Sequence, residues 1–355
     1  MKTDAKKIII NIVVMVIITG FSVWFFIKNG VFDEENLSKI TFKAVATVTL
    51  VYLLSMFLWS ACNYITIKPT LRSFTYFRSF NDLVYGKLAS SVTPLKSGHF
   101  PLRTMLYLEY GYSFYQSLTA LSKCQIVASL ASILNYAVVF IFSAVRGVSV
   151  TLNGQTIGLN LVVFIGLVFH FFTITLVCLI AFVKPFQSFF ICTVSKIKFR
   201  RDEEKRKEYQ NKEKLKYEIY REQITKMLKN FYLYIIPVVI YIAFMFCTSS
   251  LPYVAFLAVG GSAFDFGDFI KFYLLTIGAA YVTNVIPVPG AAGSSEVVFG
   301  LLFAEVISKN LLGGVMLVWR LGSFYFPVIF AILQFYISQA LIAARPKKQN
   351  EENYG

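Results

Sequence analysis

The sequence contains little charge for its length, because only 15% of its 355 residues are Asp, Glu, Lys or Arg. A soluble globular domain carries about 25% charged residues. The chain is instead 57% hydrophobic, and its apolar residues form long runs of the ~20 residues that a helix needs to cross a bilayer. This composition excludes a soluble protein and predicts an all-α integral membrane protein.

Side chains that bind metals or form disulfides are also scarce. The chain has two histidines and five cysteines, and no two cysteines have CxxC spacing. A structural zinc site and a disulfide framework are therefore not expected. The chain also lacks the clustered carboxylates and histidines that an enzyme acting on lipids would use. We predict no metal, no cofactor and no catalytic residue.

The net charge of +15 comes mostly from loops between apolar runs. Such loops follow the positive-inside bias of membrane proteins, whereas nucleic-acid binding would need a basic folded face. Basic residues mark the amino terminus, the loop around Arg72, the segment 184–230 and the tail, and acidic residues mark the loops around Glu34 and Asp265. We therefore expect a multi-pass plasma-membrane protein with both termini in the cytoplasm and no nucleic-acid partner.

Seven apolar runs are long enough to be spans, and two further apolar segments are interrupted. With the interrupted segments, they predict about seven or eight transmembrane helices plus broken or re-entrant helices. Residues 1–343 would form one polytopic domain, in which the charged loop 184–230 joins two halves, and residues 344–355 would form a tail. The runs are Ile8–Ile27, Phe42–Ile65, Ile126–Val145, Ile157–Val183, Phe231–Val259, Phe269–Pro287 and Leu311–Ala343, and the interrupted segments are Leu83–Tyr112 and Pro289–Ile307.

Within the charged loop, the spacing of Glu203 and Lys207 favours a helix. Residues four apart lie on the same helical face, where opposite charges stabilise each other. Leu215, Ile219 and Met227 give this segment an apolar side. We expect an amphipathic helix that is either solvated or attracted to anionic lipid headgroups.

The most informative segment of the chain is Asn284–Glu296, where two prolines and two glycines stand between apolar runs. Proline removes a backbone donor and glycine weakens a helix. Backbone that is not helical at membrane depth is tolerated only where it is buried in protein or lines a polar cavity. The segment therefore predicts part of a transport pathway.

Another break, Ser90–Arg103, lies earlier in the chain and repeats this pattern. Pro94 is followed four residues later by Gly98, as Pro289 is followed by Gly293. Paired interruptions in two halves of a membrane protein indicate an internal repeat with a binding site between the halves. We expect Pro94 and Pro289 to lie near each other at mid-membrane depth, facing one polar cavity.

Helices that restart in the membrane present unpaired N–H groups and a positive dipole end, which suit an anion such as a lipid phosphate. Ser294 and Ser295 would cap such a helix or bind a headgroup. Glu296 and Arg320 would form an ion pair that holds helices together or would contact the headgroup. The predicted substrate-binding residues are Glu296, Arg320, Arg103, Ser294, Ser295, Gly293, Pro289, Pro94, Gly98 and Asn284.

Arg103 belongs to a small basic cluster with His99 and Lys96. These side chains would meet a phosphate group if they faced the pathway. Near an interface they would instead extend towards water.

Three segments resemble the membrane region of the lysylphosphatidylglycerol synthase family, also called the flippase-like or multiple peptide resistance factor family. They are Thr93–Arg103, Pro287–Glu296 and Trp319–Pro327, and they follow the family's order over most of the chain. The family's glycine pair is diluted in each break, where Lys96 and Ser97 precede Gly98, and Ala291 and Ala292 precede Gly293.

The resemblance implies a role in lipid metabolism and in resistance to antimicrobial peptides. Full-length members attach a soluble domain that transfers lysine from charged tRNA to phosphatidylglycerol. Since this sequence stops at Gly355, we expect that domain to be absent and the chain not to be an enzyme.

The predicted function is translocation of a phospholipid, aminoacylated or not, or of a lipid-linked substrate between membrane leaflets. Two alternatives stay open: a phosphatidylglycerol lysyltransferase or accessory subunit of a lipid-modifying enzyme, and an ion-coupled transporter of small solutes. The expected partner is a membrane phospholipid with an anionic or aminoacylated headgroup. The sequence leaves open which lipid is bound, the direction and energy source of transport, and whether the protein is a homo-oligomer.

Overall fold

The computed structural model describes Trp24 and residues 38–93, 97–146, 149–152, 155–198, 202–285, 288 and 293–343. These residues are almost entirely helical, which confirms the predicted all-α membrane fold. The predicted first span, Ile8–Ile27, lies outside the described residues except for Trp24. The helices are α1 (Phe42–Ile67), α2 (Tyr76–Val92), α3 (His99–Glu109), α4 (Phe114–Arg146), α5 (Leu159–Phe182), α6 (Lys184–Lys198), α7 (Glu203–Lys229), α8 (Ile235–Ala258), α9 (Phe266–Val285), α10 (Ser294–Phe303), α11 (Lys309–Arg320) and α12 (Phe326–Ala343).

Among the described residues, five stretches of helix are long and apolar enough to cross a membrane: Phe42–Ile67, Phe114–Val145, Val163–Phe182, Phe231–Ala258 and Lys309–Gln334. Each overlaps one of the predicted runs. Helix α4 starts at Phe114, well before the predicted Ile126, and its first turns contain polar residues. There Ser117 and Thr119 donate their hydroxyls to the carbonyls of Ser113 and Tyr115, across 2.9 and 2.7 Å.

One antiparallel hairpin was not predicted. Strand β1 (Ser149–Leu152) pairs with β2 (Gln155–Gly158), and Val150 lies opposite Ile157. The predicted span Ile157–Val183 therefore begins later than expected, at Leu159 in α5. The hairpin adds two short strands to a helical fold and does not change its class.

The two halves of the chain repeat the same order of elements. In each half a long helix (α1, α8) is followed by a helix that leads into a break (α2, α9), a short helix (α3, α10) and another long span, which is α4 in the first half and α11 continued into α12 in the second. Helices α10 and α11 begin 195 residues after α3 and α4, respectively. Pro94 and Pro289 have this same separation in the sequence. This order agrees with the internal repeat that the paired breaks indicated.

The main core lies where the two halves meet. Helix α1 packs along α8 more extensively than any other pair of described elements, and the largest buried cluster draws side chains from α1, α2 and α8–α11. A π turn, Leu321–Tyr325, joins α11 to α12. At Gly322 a Cβ atom would lie 2.7 Å from a methyl group of Val48. The glycine therefore lets the π turn approach α1 closely.

The described residues of the charged segment after Lys184 form helices α6 and α7. Asp202 caps α7 by accepting a hydrogen bond from the Lys205 N–H at 3.0 Å. The predicted pair Glu203 and Lys207 is present at 3.6 Å. Met227 is buried, whereas Leu215 and Ile219 are exposed. The helix predicted from charge spacing is therefore present, and part of its apolar side is covered by protein.

Candidate functional site

A cavity of about 350 Å³ lies between the two halves of the protein. Helices α1, α2 and α3 form its wall from the first half, and helices α8–α11 with the π turn form its wall from the second. Aromatic rings and small hydroxyl side chains line it. Its basic side chains, among the described residues, are Lys87, His99 and Arg320, and its hydroxyl groups include those of Ser90, Ser91, Thr283, Ser295 and Ser323.

Arg320 is the buried cation in this wall. It ends α11 and donates from Nε to Oε1 of Glu296 across 2.8 Å, with 6% of each side chain exposed. Its guanidinium carbon lies 4.2 Å from the centre of the Phe324 ring. Its Nη2 is buried and has no hydrogen-bond partner among the described residues. Because a buried donor without an acceptor is costly, this atom needs an acceptor from outside the described residues, such as a ligand or water.

Glu296 is the hydrogen-bonded counter-ion of Arg320. Its Oε1 also accepts a hydrogen bond from the Tyr325 hydroxyl at 3.3 Å, and its Oε2 accepts one from Ser295 Oγ at 2.8 Å. The carboxylate lies in the first turn of α10, where the positive end of the helix dipole favours an anion. The predicted Glu296–Arg320 pair is thus present. A direct headgroup contact by Glu296 stays a prediction.

The second break ends at Gly293, whose φ of +76° suits a residue without a side chain. Its carbonyl accepts the Val297 N–H at 3.0 Å and starts α10. Ser294 is half-buried, and Ser295 is buried and lines the cavity. Asn284 lies in α9, but its side chain is outside the described part of the structure, as is Pro289.

A second buried ion pair lies beside the first break. Arg103 donates from Nε to both carboxylate oxygens of Asp82 at 2.9 Å and from Nη2 to Oδ2 at 2.6 Å. The Tyr107 hydroxyl donates to the same Oδ2 at 2.9 Å. Since α2 carries Asp82 and α3 carries Arg103, the pair links the helices on either side of the break. Arg103 is not among the described residues that line the cavity, so its predicted headgroup contact stays a prediction.

His99 connects this ion pair with the cavity. Its Nε2 lies 3.4 Å from Arg103 Nη1, and its ring stacks on Trp59 with centroids 5.7 Å apart. A Cβ atom at Gly86 would lie 2.7 Å from His99 Nδ1, so the bare glycine lets the ring lie against α2. Gly98 donates its N–H to Thr93 Oγ1 at 2.9 Å. Pro94 and Lys96 are outside the described residues. The approach of Pro94 to Pro289 therefore stays a prediction.

The family model described as the Lysylphosphatidylglycerol synthase TM region matches residues 8–331. The chain belongs to this family. Neither the curated proteins nor the solved structures gave a match. Membership agrees with the resemblance drawn from the two breaks and the segment around Arg320. It supports a lipid-related membrane function and interaction with membrane lipids for this multi-pass protein.

In this member of the lysylphosphatidylglycerol synthase TM-region family, the cavity contains a cation that sequence reasoning missed. Lys87 lies in α2, with Nζ 5.7 Å from the centre of the Tyr52 ring and 6.0 Å from that of Phe324. A lysine inside an interrupted apolar segment was the available signal, because charge within a bilayer is rarely kept without a role. Lys87 and Arg320 therefore approach the same aromatic ring.

Proposed function

We propose that the protein moves a phospholipid or another lipid-linked substrate between the leaflets of the plasma membrane. The observation that carries this proposal is the buried guanidinium of Arg320, which faces a cavity while its Nη2 lacks an acceptor among the described residues. A phosphate oxygen is a suitable acceptor for this planar donor group. Glu296 would hold the guanidinium in place while the headgroup binds.

The cavity would hold the headgroup of the lipid, and the outer surface of the protein would contact its acyl chains. The hydroxyls of Ser90, Ser295 and Ser323 already donate to protein acceptors, so their oxygens would accept hydrogen bonds from water or from hydroxyl groups of the headgroup. This lowers the cost of bringing a polar group to membrane depth. The outer face of α5 exposes Phe164 and Phe172, and such a face suits contact with acyl chains. The polar part of the lipid would thus cross through protein while its chains stay in the membrane.

We place both termini and the charged helix α7 on the cytoplasmic side. The support is the basic composition of the amino terminus, the segment 184–230 and the tail, which follows the positive-inside bias. Labelling of single cysteines in sealed cells would test this orientation, since a cytoplasmic α7 would be labelled only by reagents that cross the membrane.

The test of the function is leaflet exchange in liposomes that contain the purified protein. A phospholipid labelled on its acyl chain should become accessible to an external quencher faster than in liposomes without protein. Exchange no faster than in protein-free liposomes would contradict the proposal. Lipid extracts of a deletion strain separate transport from synthesis: transport predicts an unchanged lipid inventory with altered exposure in the outer leaflet, whereas a missing lipid species would indicate an enzyme.

A further inference from the structure

We infer that the cavity selects a lipid whose headgroup is a net anion, a phosphodiester without an added amino group, over a cationic aminoacylated lipid. The inference rests on the proposed function and names its substrate class. It depends on three properties of the described residues: the sign of the charges in the cavity wall, the partners of Glu296, and the neighbours of the aromatic rings.

The charges in the wall are positive. Lys87 and Arg320 line the cavity, whereas no Asp or Glu does so among the described residues. Between the helices at each break, residues 93–98 and 286–293 contain no acidic residue in the sequence, and Lys96 adds a further basic one. A lysyl group would bring one or two more positive charges into this wall, where low polarity strengthens repulsion between like charges.

The carboxylate next to the cavity is already engaged. Glu296 accepts hydrogen bonds from Arg320 Nε, Ser295 Oγ and the Tyr325 hydroxyl. An ammonium group of a ligand would have to displace one of these donors to reach it. If the ligand displaced Arg320 from Glu296, the buried guanidinium would lose its counter-charge, which is strongly unfavourable.

Aromatic rings are the other groups that bind ammonium ions, but the protein's own side chains lie against them. Lys87 lies over Tyr52 and Phe324, and Arg320 lies over Phe324 and Trp319. Trp59 stacks on His99 and on Phe244. The aromatic lining therefore supports the protein's own cations, which leaves it poorly suited to a cationic headgroup.

Lys87 is the residue through which this selection should be measured. Arg320 is bonded to Glu296, so replacing it disturbs an ion pair as well as the cavity charge. Replacing Lys87 changes the charge of the wall without removing either member of the Glu296–Arg320 pair. Reversal of its sign in Lys87→Glu would supply a carboxylate for an ammonium group and repel a phosphodiester.

The experiment compares two lipids in the same proteoliposomes. Phosphatidylglycerol and its lysyl ester, with the same acyl-chain label, are assayed for quencher accessibility. We expect wild-type protein to exchange phosphatidylglycerol at least about tenfold faster than the lysyl ester, a difference of ~1.4 kcal/mol in barrier. Lys87→Glu should reverse this preference, Lys87→Gln should reduce it, and Lys87→Arg should keep it. Lys271→Glu, which changes an exposed lysine on α9, is the charge-matched control and should keep the wild-type ratio.

The outcomes separate the inference from the proposed function. Equal or faster exchange of the lysyl ester by wild-type protein would overturn the inference and leave lipid translocation standing. No exchange of either lipid would overturn the proposed function. A further arm measures entry of labelled inorganic phosphate into the same vesicles. We expect no entry, and phosphate entry without lipid exchange would identify the anion as free phosphate and overturn both.

Discussion

Arg320 and Glu296 form a buried ion pair beside the cavity. Arg320 Nε bonds Glu296 Oε1 at 2.8 Å, while Nη2 lacks an acceptor among the described residues. Arg103 differs, because its Nε and Nη2 both bond Asp82. In the first half of the repeat, Asp82 thus accepts from two nitrogens of Arg103. In the second half, one buried nitrogen of Arg320 has no acceptor among the described residues. This difference is the basis for assigning anion binding to Arg320.

The buried pair of Asp82 and Arg103 should contribute mainly to stability. In Asp82→Asn, a buried guanidinium loses its counter-charge, and removing one member of a buried pair typically costs ~3–5 kcal/mol. We expect a clearly lower melting temperature in detergent. The double variant Asp82→Asn with Arg103→Gln should recover part of the loss, since no buried charge then lacks its partner. A melting temperature unchanged in Asp82→Asn would contradict the assigned role.

Gly86 should be needed to keep His99 in the cavity wall. In Gly86→Ala, the new methyl group would meet His99 Nδ1 at 2.7 Å, and the ring would have to move away from α2. Overpacking of this kind costs ~1–3 kcal/mol, so we expect lower thermal stability and slower lipid exchange. The matched control is Gly158→Ala, where a methyl group would meet no atom within 4 Å. Equal behaviour of the two variants would show that His99 does not need this position.

Helix α7 should be an integral part of the fold. Met227 is 1% exposed on the side of α7 that joins the cluster of α4 and α8 residues, whereas Leu215 on the same helix is 61% exposed. Met227→Ala should cost ~2–5 kcal/mol by opening a cavity in the core, and Leu215→Ala should change stability by less than ~0.5 kcal/mol. Thermal unfolding of the two variants measures the contrast. Similar melting temperatures would mean that α7 is loosely attached.

A polar contact between α7 and α4 gives a finer test of the same interface. Tyr220 donates its hydroxyl to Ser122 Oγ at 3.0 Å, and both residues are buried. Tyr220→Phe removes that bond but keeps the ring, so the loss should be about 0.5–1.5 kcal/mol. Tyr232→Phe, which alters an exposed tyrosine, provides the matched control and should leave the melting temperature unchanged.

Five of the seven predicted spans and the ion pair at Glu296 could be predicted from the sequence because they depend on local or costly features. Long apolar runs have few alternatives to membrane helices, and Glu296 and Arg320 needed partners in an apolar environment. The hairpin could also have been found, because Asn153 and Gly154 between two short segments are a strong turn signal.

The roles of Asp82 and Lys87 could not be predicted in the same way. Both lie in α2, and no local pattern shows which helix faces each side chain. Asp82 meets Arg103 because the chain turns back after the break, and Lys87 approaches Phe324 because the two halves pack together. These contacts join residues far apart in the sequence, so they follow from the packing of helices.

The most direct measurement of the central claim is leaflet exchange by Arg320→Lys. Lysine keeps a positive charge near Glu296 but lacks the planar, multi-donor guanidinium that can bond a carboxylate and a phosphate together. We predict exchange of labelled phosphatidylglycerol at least about tenfold slower than wild type, equivalent to ~1.4 kcal/mol in barrier, in a variant that still unfolds cooperatively in detergent. Lys271→Gln, on an exposed lysine, should exchange lipid at the wild-type rate. Exchange by Arg320→Lys at the wild-type rate would contradict the claim that Arg320 binds the headgroup.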